Sequence, residues 1–165
     1  MTRSFVLAQL AALSLTLTCG SSVLAIEPKD VLEWRASEVE SALAGAHPAA
    51  YYLYAGRRLR EGAKEDALFW YYVAELRYRF YLAANPKLPP DGDPALFASF
   101  RATIGPTIAD LGERNPELAL KALQRALDWD EANDNGATSK ASHQTEWHDV
   151  RDQLHQVERN RYTNP

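Results

Sequence analysis

His148, Asp152 and His155 stand at i, i+4 and i+7 in the run "HDVRDQLH". On a helix that spacing brings two imidazoles and a carboxylate near one face, and such a set can hold zinc. The set is loose and lacks the HExxH framework, so it reads as a solvated polar face beside Trp147. Asp91-Gly92-Asp93 offers two carboxylates, far short of the roughly 6–8 oxygen ligands of a calcium loop, and reads as a turn. Arg57, Arg58 and Arg60 are followed by Glu61, Lys64, Glu65 and Asp66, a mixed-charge surface rather than an anion site. No Ser–His–Asp set and no glycine-rich phosphate loop is present. The 22 acidic residues supply many carboxylate pairs, and nothing singles one out. No catalytic residue, metal ligand or cofactor is therefore expected.

The most unusual stretch is "FWYYVAELRYRFY", residues 69–81, with seven aromatics among thirteen residues. Rings alternating with arginines could stack nucleic-acid bases. The chain carries a formal charge of −4 and no basic stripe, which argues against nucleic acid. Placed on a helical wheel, Ala67, Trp70, Tyr71, Ala74, Tyr78 and Tyr81 form one apolar cluster. Phe69, Val73, Leu76 and Phe80 form the next, and together they cover about 220°, wider than a surface helix needs. The expectation is a central helix packed on two sides. Lys64, Glu75 and Arg79 share the remaining face, with Tyr72 at its edge, and Glu75–Arg79 is a favourable i,i+4 pair. Tyr72 and Arg79 are thus candidate partner contacts.

Arg77 is the exception, because it falls between the two apolar clusters. Buried and unpaired it would cost several kcal/mol, so it needs a carboxylate or a path to water along ring faces. Asp91 and Asp93 in the proline-rich loop "NPKLPPDGDP" are the expected partners, making Arg77 a structural clamp on that loop.

The elements that position these residues all follow a helical period. Helices are expected over about 29–46, 48–61, 64–84, 116–130 and 143–161. Another begins near Pro94 and runs to about Arg114, with a break or kink at Gly105-Pro106. In the first helix Leu32, Ala36, Val39 and Leu43 form the apolar stripe. Trp34 points about 200° away from Leu32, which makes it a candidate partner anchor. Trp147, Val150, Leu154 and Val157 form the stripe of the last helix. Residues 131–142, "EANDNGATSKAS", read as a flexible segment, and the C-terminal "YTNP" as a frayed end.

Residues 1–25 resemble an export signal. Arg3 precedes the largely apolar run from Phe5 to Leu17, and "VLA" ends at Ala25. Cleavage after Ala25 is the expected fate; retention as an anchor and a Cys19 lipoprotein are the other two. Cleavage would leave residues 26–165 as one domain without cysteine and without a stable membrane span, exported, and to the periplasm if the cell is Gram-negative.

One helix pair carries a resemblance. "AYYLYAGRRLREGAKEDALFWYYVAEL" resembles a Sel1-like repeat, a relative of the tetratricopeptide repeat. The matching residues are Leu53, Gly56, Gly62, Asp66-Ala67, Trp70-Tyr71 and Ala74. The resemblance implies a helix–turn–helix unit in which small residues mark close helix approach and Trp70-Tyr71 fill the space between. It also implies a role in protein–protein interaction. "NPELALKALQRAL", 115–127, is similar to the second helix of such a unit through Ala119, Leu123 and Ala126-Leu127. The two segments lie farther apart than a period of about 34 residues, and Arg77-Tyr78 stand where a terminal glycine belongs. The expected architecture is therefore an all-α compact bundle of about six helices containing one repeat-like hairpin, rather than a regular superhelix. The expected function is an exported, non-enzymatic protein-interaction module, of which an immunity protein occluding a secreted toxin is one form. A subunit of an envelope complex and a small helical periplasmic hydrolase are the alternatives.

Overall fold

The computed structural model describes residues 26–163, so the expected signal segment lies outside the described residues. The fold is all-helical and compact, with no strand among the described residues. Seven helices follow in order: α1 Pro28–Glu33, α2 Ala36–Leu43, α3 Pro48–Arg60, α4 Lys64–Ala84, α5 Asp93–Arg114, α6 Pro116–Ala132 and α7 Gln144–Thr163. No helix of the described residues is long and apolar enough to cross a membrane.

Helix α4 is the axis of the bundle, packed against α3, α5, α6 and α7. Every residue from Ala67 to Tyr78 is buried. The expectation of two packed sides understates this, because neighbours cover the helix on nearly every side. Its ladder of rings is knitted to adjacent helices. Trp70 lies against Tyr51 and Tyr54 of α3 and Trp129 of α6, and Tyr52 of α3 stacks on Phe100 of α5. Rings at such separations add to the apolar burial that drives the packing. Gly62 ends the α3 segment with φ 76, the left-handed conformation that a side chain resists, and α4 starts two residues later. Gly56 differs from its expected role. A side chain there would make only ordinary contacts, with Arg60 and with Ile104 of α5, so it does not mark a close α3–α4 approach.

The first expected helix is two. Each piece has its own start: the Asp30 carboxylate accepts from the Glu27 N–H at 3.0 Å, and Glu38 accepts from the Arg35 N–H at 3.0 Å. Acidic residues at the third helical position are strong start signals. The break between them resets the helical phase. Val31 is fully buried where Leu32 was expected, and Leu32 projects outward, 48% exposed. Helix α5 differs in the opposite sense, running unbroken through Pro106. Pro106 and Ala102, whose carbonyl loses its usual donor, both lie on the exposed side, where water satisfies the group.

In α7 the inward stripe is Val150, Leu154, Glu158 and Tyr162, spaced four apart, while Val157 is 52% exposed. Tyr162, the first residue of the end expected to fray, is buried; residues 164–165 lie outside the described residues.

Candidate functional site

The arginine singled out above is fully enclosed, and its partner is a different carboxylate. Arg77 Nε donates to Asp130 Oδ1 at 3.0 Å, and both side chains are buried. Asp91 is exposed. Asp93 accepts instead from the Tyr78 hydroxyl at 2.7 Å and stands 3.2 Å from His47 Nε2, so it ties the proline loop to α3 and α4 without Arg77. The correction has a simple cause. Arg77 faces α6, and Asp130 continues the α6 apolar stripe of Ala119, Leu123, Ala126 and Leu127 at helical spacing.

Every guanidinium donor of Arg77 is placed. Nη1 reaches the Tyr51 hydroxyl at 2.6 Å and the Ala44 carbonyl at 3.4 Å. Nη2 reaches the carbonyls of Asn133 at 3.1 Å and Asp134 at 2.9 Å. The guanidinium also lies 4.7 Å from the Trp129 ring centre and 5.3 Å from that of Tyr51. The Tyr51 hydroxyl in turn donates to the Leu43 carbonyl. Burial pushes the Tyr51 hydroxyl up to about 12, against the pull of Arg77, so it serves as a neutral relay in this network.

Around the same aspartate, Trp147 Nε1 donates to Asp130 Oδ2 at 2.8 Å, with Lys140 Nζ and Arg151 Nη1 at 3.7 and 3.6 Å. Lys140 also donates to the Asp130 and Asn133 carbonyls. Its ammonium is held below the ordinary lysine range by burial, which outweighs the attraction of Asp130. The segment expected to be flexible is thus bound to the body of the protein. Asn135 and Thr138 are buried, and the Gly136 N–H donates to the Ala44 carbonyl at 3.1 Å. Its composition suggested mobility; what holds it is two cations offering donors to its carbonyls. Since these charges face one another and the backbone, the arrangement clamps α2, α4, α6 and α7 together.

A second charged group lies where α4 meets α5 and α7. Glu75, expected on an exposed face, is buried. It accepts from the Tyr52 hydroxyl at 2.6 Å and from Arg79 at 2.6 and 2.9 Å. Tyr72, expected as a partner contact, is also buried, its hydroxyl 3.0 Å from that of Tyr162. It cannot be a surface anchor, because α7 covers it. Arg79 is half-buried and tied to Glu75.

The candidate contact surface is the α1–α2 corner. Trp34 is 36% exposed, and Leu32, two residues earlier in the chain, is 48% exposed. This corner is rigidly held: Arg57 Nη1 donates to the Val31 carbonyl at 3.1 Å and the Trp34 carbonyl at 2.5 Å, while its Nε pairs with Glu61 at 2.7 Å. Arg57 thereby pairs one carbonyl of the last turn of α1 and that of its C-cap Trp34, tying the corner to α3. Arg35, Glu38, Arg58 and Glu61 supply charges nearby along the same elements. Sequence reasoning placed Trp34 outward but missed Arg57, because a carbonyl acceptor 23 residues away leaves no local pattern.

His148 is exposed and lies against the Trp147 ring, and His155 is half-buried along α7. Among the described residues, no group of three histidine, cysteine, aspartate or glutamate side chains converges as metal ligands would. Leu53, Ala67, Trp70, Tyr71 and Ala74 all contribute to the α3–α4 packing, Leu53 at its edge. Comparison of the chain with protein-family models, with curated proteins and with solved structures finds no match to any of them.

Proposed function

We propose that this chain is an exported, non-enzymatic protein-interaction module that engages its partner through the α1–α2 corner. The observation that carries the reading is Trp34: a partly exposed indole at a corner that Arg57 pins, with charged residues on the same elements. A pre-organised aromatic anchor within a polar rim is the arrangement that concentrates binding energy in protein interfaces. The likeness of α3–α4 to a Sel1-like repeat points the same way, since that family works by protein contact. The buried Arg77, Asp130 and Glu75 support it too, because they are engaged in holding helices together. Acidic net charge would steer the chain toward a basic partner surface. Occlusion of a secreted toxin is the form of activity that suits a small exported helical protein of this kind.

The reading is tested by immobilising residues 26–165 and capturing partners from the periplasm of the producing cell and from competitors' secretions. One dominant protein is captured. Trp34→Ala weakens its capture by about tenfold or more while the melting temperature stays within about 2 °C of the parent. Equal capture by the parent and by Trp34→Ala removes the corner from the interface, and capture of no protein from any source removes the reading itself.

A further inference from the structure

We propose that α4, α5 and α7 form a binding site for a carboxylate monoanion, held by Arg79, Arg101 and Arg161 above the buried Glu75 and Glu158. This site is separate from the α1–α2 corner and does not depend on it. Three arginines arrive from three helices. Arg79 takes Glu75 Oε2 with two donors, Arg101 Nε stands 3.2 Å from Glu75 Oε1, and Arg161 Nη1 stands 3.1 Å from Glu158 Oε2. The carboxylates are 2% and 6% exposed, whereas the Arg101 and Arg161 side chains are 50% and 41% exposed. The acids therefore lie beneath and the guanidinium groups reach the surface.

Each outer arginine is anchored from below and keeps donors for a ligand. Arg101 meets Glu75 through Nε, and its two Nη groups have no hydrogen-bond partner among the described residues. An aligned guanidinium with unused Nη groups is a fork that matches the two oxygens of a carboxylate. The charge count selects the ligand further. Three guanidinium groups against two carboxylates leave one net positive charge, within a chain whose total is −4. A monoanion balances that charge, while a phosphate dianion would meet two fixed carboxylates just below it.

Protonation of Glu158 tunes the site. Burial pushes its carboxyl above the usual range and Glu75 pushes the same way, while Arg161, Arg79 and Arg101 oppose them. The neighbouring Tyr71 and Tyr72 hydroxyls are raised by burial and stay neutral, and Tyr162 completes the surroundings from α7. As pH falls through the raised Glu158 value, one negative charge disappears and the attraction for an anion grows.

The test follows the arginine Nε–Hε NMR signals of residues 26–165 during titration with sodium acetate, with sodium chloride at matched ionic strength as reference. The Arg79, Arg101 and Arg161 signals shift saturably with acetate and not with chloride. Arg101→Gln weakens acetate binding about tenfold without moving the melting temperature, because Glu75 keeps Arg79 and Tyr52; Arg161→Gln weakens it similarly but also lowers the melting temperature, because the buried Glu158 loses its ion-pair partner. Acetate affinity rises as pH is lowered through the titration of Glu158. A blocked peptide bearing glutamate that binds more tightly than acetate identifies the source as an acidic side chain of a protein; equal affinity identifies a free small acid. Chloride-like, unsaturable shifts, unchanged acetate affinity in both variants, or tighter binding of inorganic phosphate than of acetate overturns the proposal.

Discussion

Arg77→Ala lowers the stability of the fold by about 3–5 kcal/mol, the cost of removing one member of a buried ion pair. In a domain of this size the melting temperature falls by about 10 °C or more. The loss has three parts. Asp130 loses its closest cation and is left with Lys140 and Arg151, both beyond 3.5 Å. The carbonyls of Ala44, Asn133 and Asp134 and the Tyr51 hydroxyl each lose a donor inside the protein. A cavity opens between the Trp129 and Tyr51 rings that flank the guanidinium. The second of these distinguishes Arg77 from a simple ion pair. In other proteins, replacing both members of a buried ion pair by apolar residues often restores stability; here it restores only part, because the Asp134 carbonyl is left without a donor and the Ala44 and Asn133 carbonyls keep only the Gly136 N–H and Lys140. Urea unfolding of the single and double variants checks both statements, and an unchanged midpoint for Arg77→Ala contradicts the clamp.

Gly136→Ala destabilises by about 1–3 kcal/mol, the range for overpacking a tight contact. A Cβ at this position would lie 2.8 Å from Gly45 Cα. The obstacle is backbone, so rotation of a side chain cannot relieve it. The segment must withdraw, and the hydrogen bond from Gly136 to Ala44 goes with it. In a loose loop the same substitution is neutral or slightly stabilising, because alanine restricts the unfolded chain. The sign of the effect therefore decides between a docked segment and a mobile one. Faster amide exchange across residues 133–140 in the variant accompanies the loss, whereas a variant at least as stable as the parent contradicts docking.

The sequence carried the helical class and the central place of α4 because both rest on periodicity, which survives in a single chain. An apolar arc of about 220° on residues 67–81 leaves few options other than a buried helix. The same wheel isolated Arg77 as a charge in need of a partner. Its identity was legible only in part. Asp130 continues the α6 apolar stripe, and Glu158 continues that of α7; a carboxylate in phase with buried residues was the available signal. Choosing among 22 acids, however, requires knowing which helix faces which, and that is a tertiary fact. Tyr72 shows the reverse error. Its place at the edge of a polar face suggested exposure, but that face rests under α7, with Glu75 buried beside it. The break between α1 and α2 was written locally, in acids three residues beyond Glu27 and Arg35. The continuous stripe from Leu32 to Leu43 masked it, and Val31 and Leu32 exchanged roles as a result.

Leu32 and Trp34 project from the α1–α2 corner, two of the four exposed large apolar side chains among the described residues, the others being Leu96 and Val157 on α5 and α7. In the proposed interaction, that corner is where the protein partner lands. The most direct test is amide hydrogen exchange of the chain alone and with its captured partner, compared residue by residue. Slowed exchange centred on residues 31–38, extending to the Arg57 end of α3 and absent in Trp34→Ala, is the result predicted. Protection confined to other elements, with residues 31–38 exchanging as they do in the free chain, would contradict it.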